Sequence, residues 1–382
     1  MIFQVDAINY ISKAPGFPDA EIVDSSSPHQ PAMHLYLNRP KCHEFLRELG
    51  EKVLGKYDVM TVGETPHVED AETALQFVHP SRREFCMIFP WEHMDLDRVP
   101  GTLLGRRPFA LSDLKAVVDR WQRGMRAGGG WNSLYMENHD QGRSIPRFGS
   151  DKDEFRMLSG KLLAVFLASL GGTLYVFQGQ EIGMVNLPRE WGVEEYGDVV
   201  SEMHYRQEKE KKIKATGEAE PDMEDVLDDM RKKARDHART PMPWSGTLPN
   251  AGFTAGTPWR KVNPDYAVCN VEGAAKDPGS VLAVWKEMVA LRKKWSTLVY
   301  GDFELLEPMD EQIFAYRRSF EGEKDALVLL NFSEEVVQLS SSLIPPNFKG
   351  ELVLGNYQTA GGNGILRPWE AKLFAVGVTT SN

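Results

Sequence analysis

The apolar positions recur with two different periods. Over roughly the first 300 residues, short apolar runs alternate with stretches in which hydrophobic residues return every three or four positions, the pattern of repeated βα units and of a parallel sheet. Phe3 to Asp6 reads as a strand end. Pro40 opens a helix that places Phe45, Leu46, Leu49, Val53 and Leu54 on one face and that Gly55 closes. Further strands are predicted at Asp58 to Val62, Phe85 to Phe89, Ser133 to Met136 and Leu174 to Phe177. Ser112 is the candidate N-cap of a helix running to about Met125, and Ser150 that of a long, mostly apolar helix to Leu170. Val281 to Lys294 is the last helix, with Val284, Met288 and Leu291 on one face.

From Val299 onward the pattern changes to short alternating strands separated by turn residues. They start at Phe314, Ala326, Gly350 and Ala371 and predict an antiparallel β domain over 301–382. A helical insertion is expected at about 184–240. Its section 202–236 is dense in both charge signs, which predicts a solvated helical pair carrying i,i+4 salt bridges.

Charge and cysteine content narrow the function classes. A formal net charge of −11 repels phosphate backbones and anionic lipids, so neither nucleic acid nor a membrane is an expected partner. The most apolar stretch, Leu162 to Leu170, is far short of the roughly 20 residues a bilayer span requires. Cys42, Cys86 and Cys269 lack the spacing of a disulfide framework or a metal finger, and the first residues lack the features of a signal peptide. A cytoplasmic protein is expected.

Carboxylates stand at or just beyond the ends of three predicted strands: Asp6, Glu64 and Asp140. In a parallel α/β sheet that edge collects catalytic groups, although a lone Asp there is more often a cap or turn former. Paired carboxylates suit glycosidic bond cleavage, in which one acid protonates the leaving oxygen while a second attacks the anomeric carbon or activates water. Trp244, Phe253 and Trp259 offer platforms for pyranose faces, core packing being the commoner fate of an aromatic side chain.

Several blocks resemble the α-amylase superfamily, the thirteenth glycoside hydrolase family. They are Phe3-Gln-Val-Asp-Ala-Ile-Asn9, Val62-Gly-Glu64, Glu137-Asn-His-Asp-Gln141 and Gln178-Gly-Gln-Glu-Ile-Gly-Met184. Arg235-Asp-His-Ala-Arg239-Thr-Pro-Met-Pro-Trp244 and Asn250-Ala-Gly-Phe-Thr254 are similar to its α-glucosidase and oligo-1,6-glucosidase branch, as are the separations of 58 residues from Asp6 to Glu64 and 76 from Glu64 to Asp140. The resemblance implies a (β/α)8 TIM-type barrel, of which about five βα units fall within 1–300, followed by a small antiparallel β-sandwich. It implies retaining hydrolysis of maltose and short α-gluco-oligosaccharides; the residues present imply no cofactor and offer no metal site. Asp6 would be the nucleophile, Glu64 the general acid and then base, and Asp140 the group holding the glucose 2- and 3-hydroxyls. Asn138, His139 and Arg239 would bind sugar, with Arg235 equally placed by spacing, while Gln178 to Met184 reads as architecture. Ala7, next to the presumed nucleophile, is similar to the maltose-preferring members, but one small side chain shifts such discrimination by only about 1–3 kcal/mol.

Two departures qualify these expectations. Gln4 stands where the family carries an arginine; it can donate a hydrogen bond near Asp6 but brings no charge. The family's first three βα units and first sugar-binding block have no counterpart, so the barrel is expected to be incomplete. Two alternatives therefore stay open: an oligo-1,6-glucosidase or trehalose synthase-like enzyme, or a catalytically inactive remnant.

Overall fold

Residues 1–25, 29–359, 361–362 and 364–377 are described by a computed structural model. Their contacts divide the chain into two units, 1–95 with 117–134, and 96–116 with the remainder from Tyr135. The first unit is built on a parallel sheet. Its strands β1 (Ile2–Val5), β2 (Met60–Thr65) and β3 (Met87–Pro90) lie in that order, with Val5 opposite Gly63 and Glu64 opposite Phe89.

Parallel neighbours need crossover connections. Helix α1 (Lys41–Lys52) lies between β1 and β2, and α2 (Ala71–Val78) between β2 and β3. Asp70 starts α2 by accepting the Thr73 N–H at 2.7 Å. Short α3 (Glu92–Asp95), the part of α4 (Leu111–Ala127) from Val117 on, and β4 (Ser133–Leu134) complete the unit. A side chain at Gly124 would bring its Cβ to 2.6 Å from that of Ala71, so glycine permits the close approach of α4 to α2.

In the second unit follow α5 (Ser144–Phe148), α6 (Arg156–Ser169), β5 (Thr173–Leu174), α7 (Val199–Thr216), α8 (Glu224–Lys233), α9 (Val271–Lys276), α10 (Val281–Lys294) and α11 (Thr297–Tyr300). The C-terminal strands are β6 (Asp302–Leu306), β7 (Ile313–Ser319), β8 (Asp325–Asn331), β9 (Val337–Gln338), β10 (Glu351–Gly355), β11 (Ile365–Leu366) and β12 (Ala371–Val376). They form a five-stranded antiparallel sheet, β10-β12-β8-β7-β6, and a two-stranded ladder, β9 with β11.

Side-chain alternation along β7 gives that sheet two buried faces. Ile313 and Ala315 join Leu327, Leu329 and Phe374 against Leu339, Leu343 and Leu366. Phe314 and Tyr316 face α6, where the Phe314 ring centre lies 5.3 Å from that of Phe166 and the Tyr316 hydroxyl shares a 2.6 Å hydrogen bond with Ser169 Oγ. The Leu162–Ala168 part of α6 is therefore apolar all round, because the sheet covers one side of the helix and α10 another.

Several expected boundaries are corrected. Ser112 is not an N-cap: α4 begins at Leu111, and the Glu311 carboxylate accepts the N–H groups of Leu111 and Ser112 at 2.7 and 3.3 Å. Ser150 does not cap α6, which begins at Arg156; its hydroxyl instead donates to Glu334 at 3.2 Å. Helix α1 ends at Lys52, and Gly55 lies within a following 3-10 turn, Leu54–Lys56. Strand β2 extends to Thr65, so Glu64 belongs to the strand rather than following it. The charged section does form the pair α7 and α8, but its ion pairs include i,i+3 contacts (Lys211 with Glu208, Arg231 with Asp228), an i,i+7 contact within α8 (Arg231 with Glu224) and contacts between segments (Lys209 with Glu220, Lys212 with Asp225). Among the described residues, no helix is long and apolar enough to cross a membrane.

Candidate active site

In the first unit, the register of the parallel sheet sets the geometry. Val5 pairs with Gly63, so Asp6 and Glu64 are the next residues along two neighbouring strands, whose backbones lie about 4.8 Å apart. Glu64 is buried within β2, whereas Asp6 is exposed in the turn that follows β1. Gln4 is exposed opposite Val62.

The chain turns sharply after Asp6. Ala7 adopts the left-handed conformation (φ 45°, ψ 42°), an uncommon state for a residue with a Cβ, and a 3-10 turn over Ile8–Tyr10 follows. At Gly63 a Cβ would meet the terminal methyl of Ile8 at 2.3 Å, so the glycine lets the Ile8 side chain pack against β2. Asn9, fully buried, ties the turn to its surroundings: its Nδ2 donates to the Pro66 carbonyl at 2.7 Å and to Asn38 Oδ1 at 3.0 Å. The chain after Asp6 and the chain after Glu64 are thereby pinned to one another. Asn9 was legible only as part of the Ala7-Ile8-Asn9 block, with no signal of this role.

In the second unit, Asn138, His139, Asp140, Arg235 and Arg239 come together. Asn138 Oδ1 accepts the Asp140 N–H at 2.8 Å and shapes the loop. Asp140 Oδ1 receives Arg239 Nη2 at 2.8 Å and Arg235 Nη1 at 3.0 Å. His139 is exposed; its backbone carbonyl accepts Arg239 Nε at 2.9 Å, and its ring Nε2 stands 3.5 Å from Asp140 Oδ2, beyond ordinary hydrogen-bond length.

Sequence reasoning missed Asp198, which completes this cluster. It accepts Arg235 Nε at 2.9 Å, Arg235 Nη2 at 3.0 Å and Arg239 Nη1 at 2.5 Å. Two guanidiniums thus stand between two carboxylates, and the cluster is charge-balanced. Burial opposes ionisation of Asp198. The Arg235 hydrogen bond, the Val200 N–H and the charges of both arginines outweigh it and hold its carboxyl below the usual range. The only sequence signal for Asp198 is its place as N-cap of α7, where it accepts the Val200 N–H at 2.9 Å. Arg235 and Arg239, which spacing alone does not separate, both engage Asp140 because the 3-10 turn Arg235–Arg239 presents both to it.

The Gln178 to Met184 block is architectural at its first residue: the Gln178 carbonyl accepts the buried Arg143 guanidinium at 2.8 Å, and Arg143 also pairs with buried Glu137 at 2.9 Å. Trp244, Phe253 and Trp259 are all exposed rather than packed into the core.

The first unit thus carries two carboxylates at one edge of a parallel sheet, and the second an aspartate gripped by two arginines. The chain belongs to the alpha-amylase family, whose catalytic-domain description matches residues 2–301. It is 42% identical over 380 residues to an oligo-1,6-glucosidase of Parageobacillus thermoglucosidasius, covering 98% of this chain and 65% of that protein. It is 39% identical over 360 residues to an alpha-glucosidase of Schizosaccharomyces pombe, covering 93% of this chain and 60% of that one. Among solved structures, the trehalose-6-phosphate hydrolase of Bacillus licheniformis superposes with a TM-score of 0.83 at 33% identity, covering 98% of this chain and 64% of that one. The chain therefore has the family's TIM-barrel fold with a C-terminal antiparallel sheet, and it spans 60–65% of the length of the curated relatives it matches.

Proposed function

We propose that the chain carries the retaining hydrolysis of α-glucosidic bonds at the non-reducing ends of maltose and short α-gluco-oligosaccharides. The observation that carries this reading is the register that sets Glu64 in β2 beside the end of β1, with Asp6 the first residue after it, since retaining glycosidases hold their two carboxyl groups about 5–5.5 Å apart. The Asp6 carboxylate attacks the anomeric carbon while the Glu64 carboxyl gives its proton to the departing glycosidic oxygen, so one C–O bond forms as another breaks. Glu64 then takes a proton from water, whose oxygen displaces Asp6 and releases glucose. Asp140, its Oδ1 held by both Arg235 and Arg239, accepts the ring 2- and 3-hydroxyls; Asn138 and His139 support that loop. Gln4 and Ala7 border the nucleophile.

Cleavage of α-1,6 bonds is the second reading, favoured by the oligo-1,6-glucosidases among the relatives. The three free cysteines suit a reducing, cytoplasmic setting. Product analysis on maltose and isomaltose tests the proposal. Release of glucose supports hydrolysis and the ratio of rates ranks the linkages; trehalose as the product, or turnover of neither sugar, contradicts it.

A further inference from the structure

The second unit holds a buried carboxylate that the hydrolytic scheme above does not use. Asp97 is 3% exposed and lies two residues after α3 in the chain. Its backbone is held in place: the Asp97 carbonyl accepts the Arg107 N–H at 2.8 Å, and the neighbouring Arg98 forms an antiparallel bridge with Arg106. The carboxylate takes two cations. Arg147, on α5, donates Nε to Oδ2 at 3.1 Å and Nη2 to Oδ1 at 2.5 Å, and Lys233, the last residue of α8, donates Nζ to Oδ1 at 2.9 Å. Burial opposes ionisation of Asp97. The charges of Arg147 and Lys233 and their hydrogen bonds outweigh it and hold the carboxyl below the usual range.

Both cations lead to the Asp140 cluster. Arg147 directs Nη1 to Gln141 Oε1 at 2.8 Å, and Gln141 is the residue after Asp140. Lys233 stands two residues before Arg235, at the entry to the turn Arg235–Arg239. Asp97 therefore reaches, through one cation each, the loop that carries Asp140 and the turn that carries the two arginines. The same segments also meet through main chain. Asn186 Oδ1 accepts the Arg143 N–H at 2.8 Å while its Nδ2 donates to the Arg231 carbonyl at 2.9 Å, and a side chain at Gly142 would run into the Lys232 carbonyl. Asn186 thus holds the far end of the loop, and Asp97 the end beside Asp140. The side chains of Asp97, Arg147 and Lys233 are each at most 5% exposed. Desolvation consumes much of the attraction in such a buried ion pair, so its net stabilisation is small, but its hydrogen bonds are directional and fix what they touch.

We propose that Asp97 is a positioning residue for substrate binding: by way of Arg147 and Lys233 it sets where Asp140 stands relative to the guanidiniums of Arg235 and Arg239. The proposal rests on the reading of Asp140 as acceptor of the ring 2- and 3-hydroxyls, and deepens it by naming the buried group that aims the acceptor. A misplacement of about 1 Å costs up to about 10²-fold in rate, so loss of Asp97 reaches the site without removing any group from it.

The test compares kcat/KM on 4-nitrophenyl α-glucoside with that on its 3-deoxy analogue, which lacks one hydroxyl that Asp140 accepts. The ratio of the two does not depend on how much of a preparation is folded, so a purely structural defect leaves it unmoved. In the native chain the ratio should be about ten- to a hundredfold, the worth of a hydrogen bond to a charged group, and Asp97→Asn should lower it by at least about fivefold. Arg147→Lys keeps a cation beside Asp97 but cannot serve Asp97 and Gln141 together, and it should lower the ratio in smaller measure. An unchanged ratio in Asp97→Asn, or in Arg147→Lys where Asp97→Asn does not fold, overturns the proposal. Should the native chain turn over neither glucoside, or both equally, the functional reading fails separately, and amide hydrogen exchange decides the role of Asp97. Faster exchange of both 138–142 and 235–239 in the variant, with β7 and β8 unchanged, sustains it; exchange unchanged in either segment, or quickened throughout the chain, overturns it.

Discussion

Asp6 and Glu64 are each the residue after a registered pair, Val5 with Gly63, on adjacent strands of one parallel sheet. The ladder fixes Glu64 and the residue before Asp6, and the turn held by Asn9 sets where Asp6 itself stands. Replacing either carboxyl removes chemistry without removing structure. Asp6→Asn and Glu64→Gln should each lower kcat on an aryl α-glucoside by about 10²–10⁴-fold or more, with an unaltered circular dichroism spectrum. A fall below about tenfold takes the residue out of its role.

Ala7 holds a left-handed backbone immediately after Asp6. A β-branched side chain tolerates that conformation worse than alanine, whereas glycine relieves it. Ala7→Val should cost about 1–3 kcal/mol and lower Tm, and Ala7→Gly should stabilise by about 0.5–1 kcal/mol, both read by thermal unfolding. Linkage preference in Ala7→Val then reports backbone displacement of Asp6 as well as the added methyl groups.

His237 is fully buried, accepting the Leu187 N–H at Nδ1 (3.1 Å), with Nε2 2.9 Å from the Met230 carbonyl. Burial pushes its pKa down to about 4, against the hydrogen bond to Met230 and the charge of Asp236. Arg143 and Lys232 add to the depression. The unfolded chain binds this proton near pH 6.5 and the folded chain does not. The contribution is therefore complete above about 6.5 and is lost as pH falls towards 4, at a cost of about 3 kcal/mol. Urea unfolding between pH 7 and 4 should show that slope, and His237→Gln should flatten it; an equal slope in the variant contradicts the assignment.

Asp198 touches both arginines that hold Asp140. Asp198→Asn leaves both guanidiniums short of an anion and should destabilise by about 2 kcal/mol. It should also raise KM for maltose more than it lowers kcat, because Asp140 is then shared by two cations free to shift. Arg239→Lys should do the same, since an ammonium cannot serve Asp140, Asp198 and the His139 carbonyl together.

The repeating apolar periods made the βα units and the C-terminal strands legible, and Val281–Lys294 is a helix with the bounds its pattern predicts. The strand end at Asp6 was legible too, because a carboxylate after an apolar run is a local signal, whereas β2 runs through Glu64 to Thr65 and its end was not. What escaped depended on distant partners. Glu311 serves the start of α4 from about 200 residues away, so Ser112 offered a false cap. Asp198 sits in a charge-rich insertion where one more acid carries no signal, and its role exists only through Arg235 and Arg239. Ala7 in a left-handed turn has no sequence mark, since glycine or asparagine is the residue such a turn advertises.

The central claim is that Asp6 becomes covalently bonded to glucose during turnover. Incubation with 5-fluoro-α-glucosyl fluoride, followed by peptide mass mapping, tests it most directly. The account predicts one added fluoroglucosyl mass on the peptide containing Asp6, absent in Asp6→Asn; label on another carboxylate, or turnover with no trapped adduct, would contradict it.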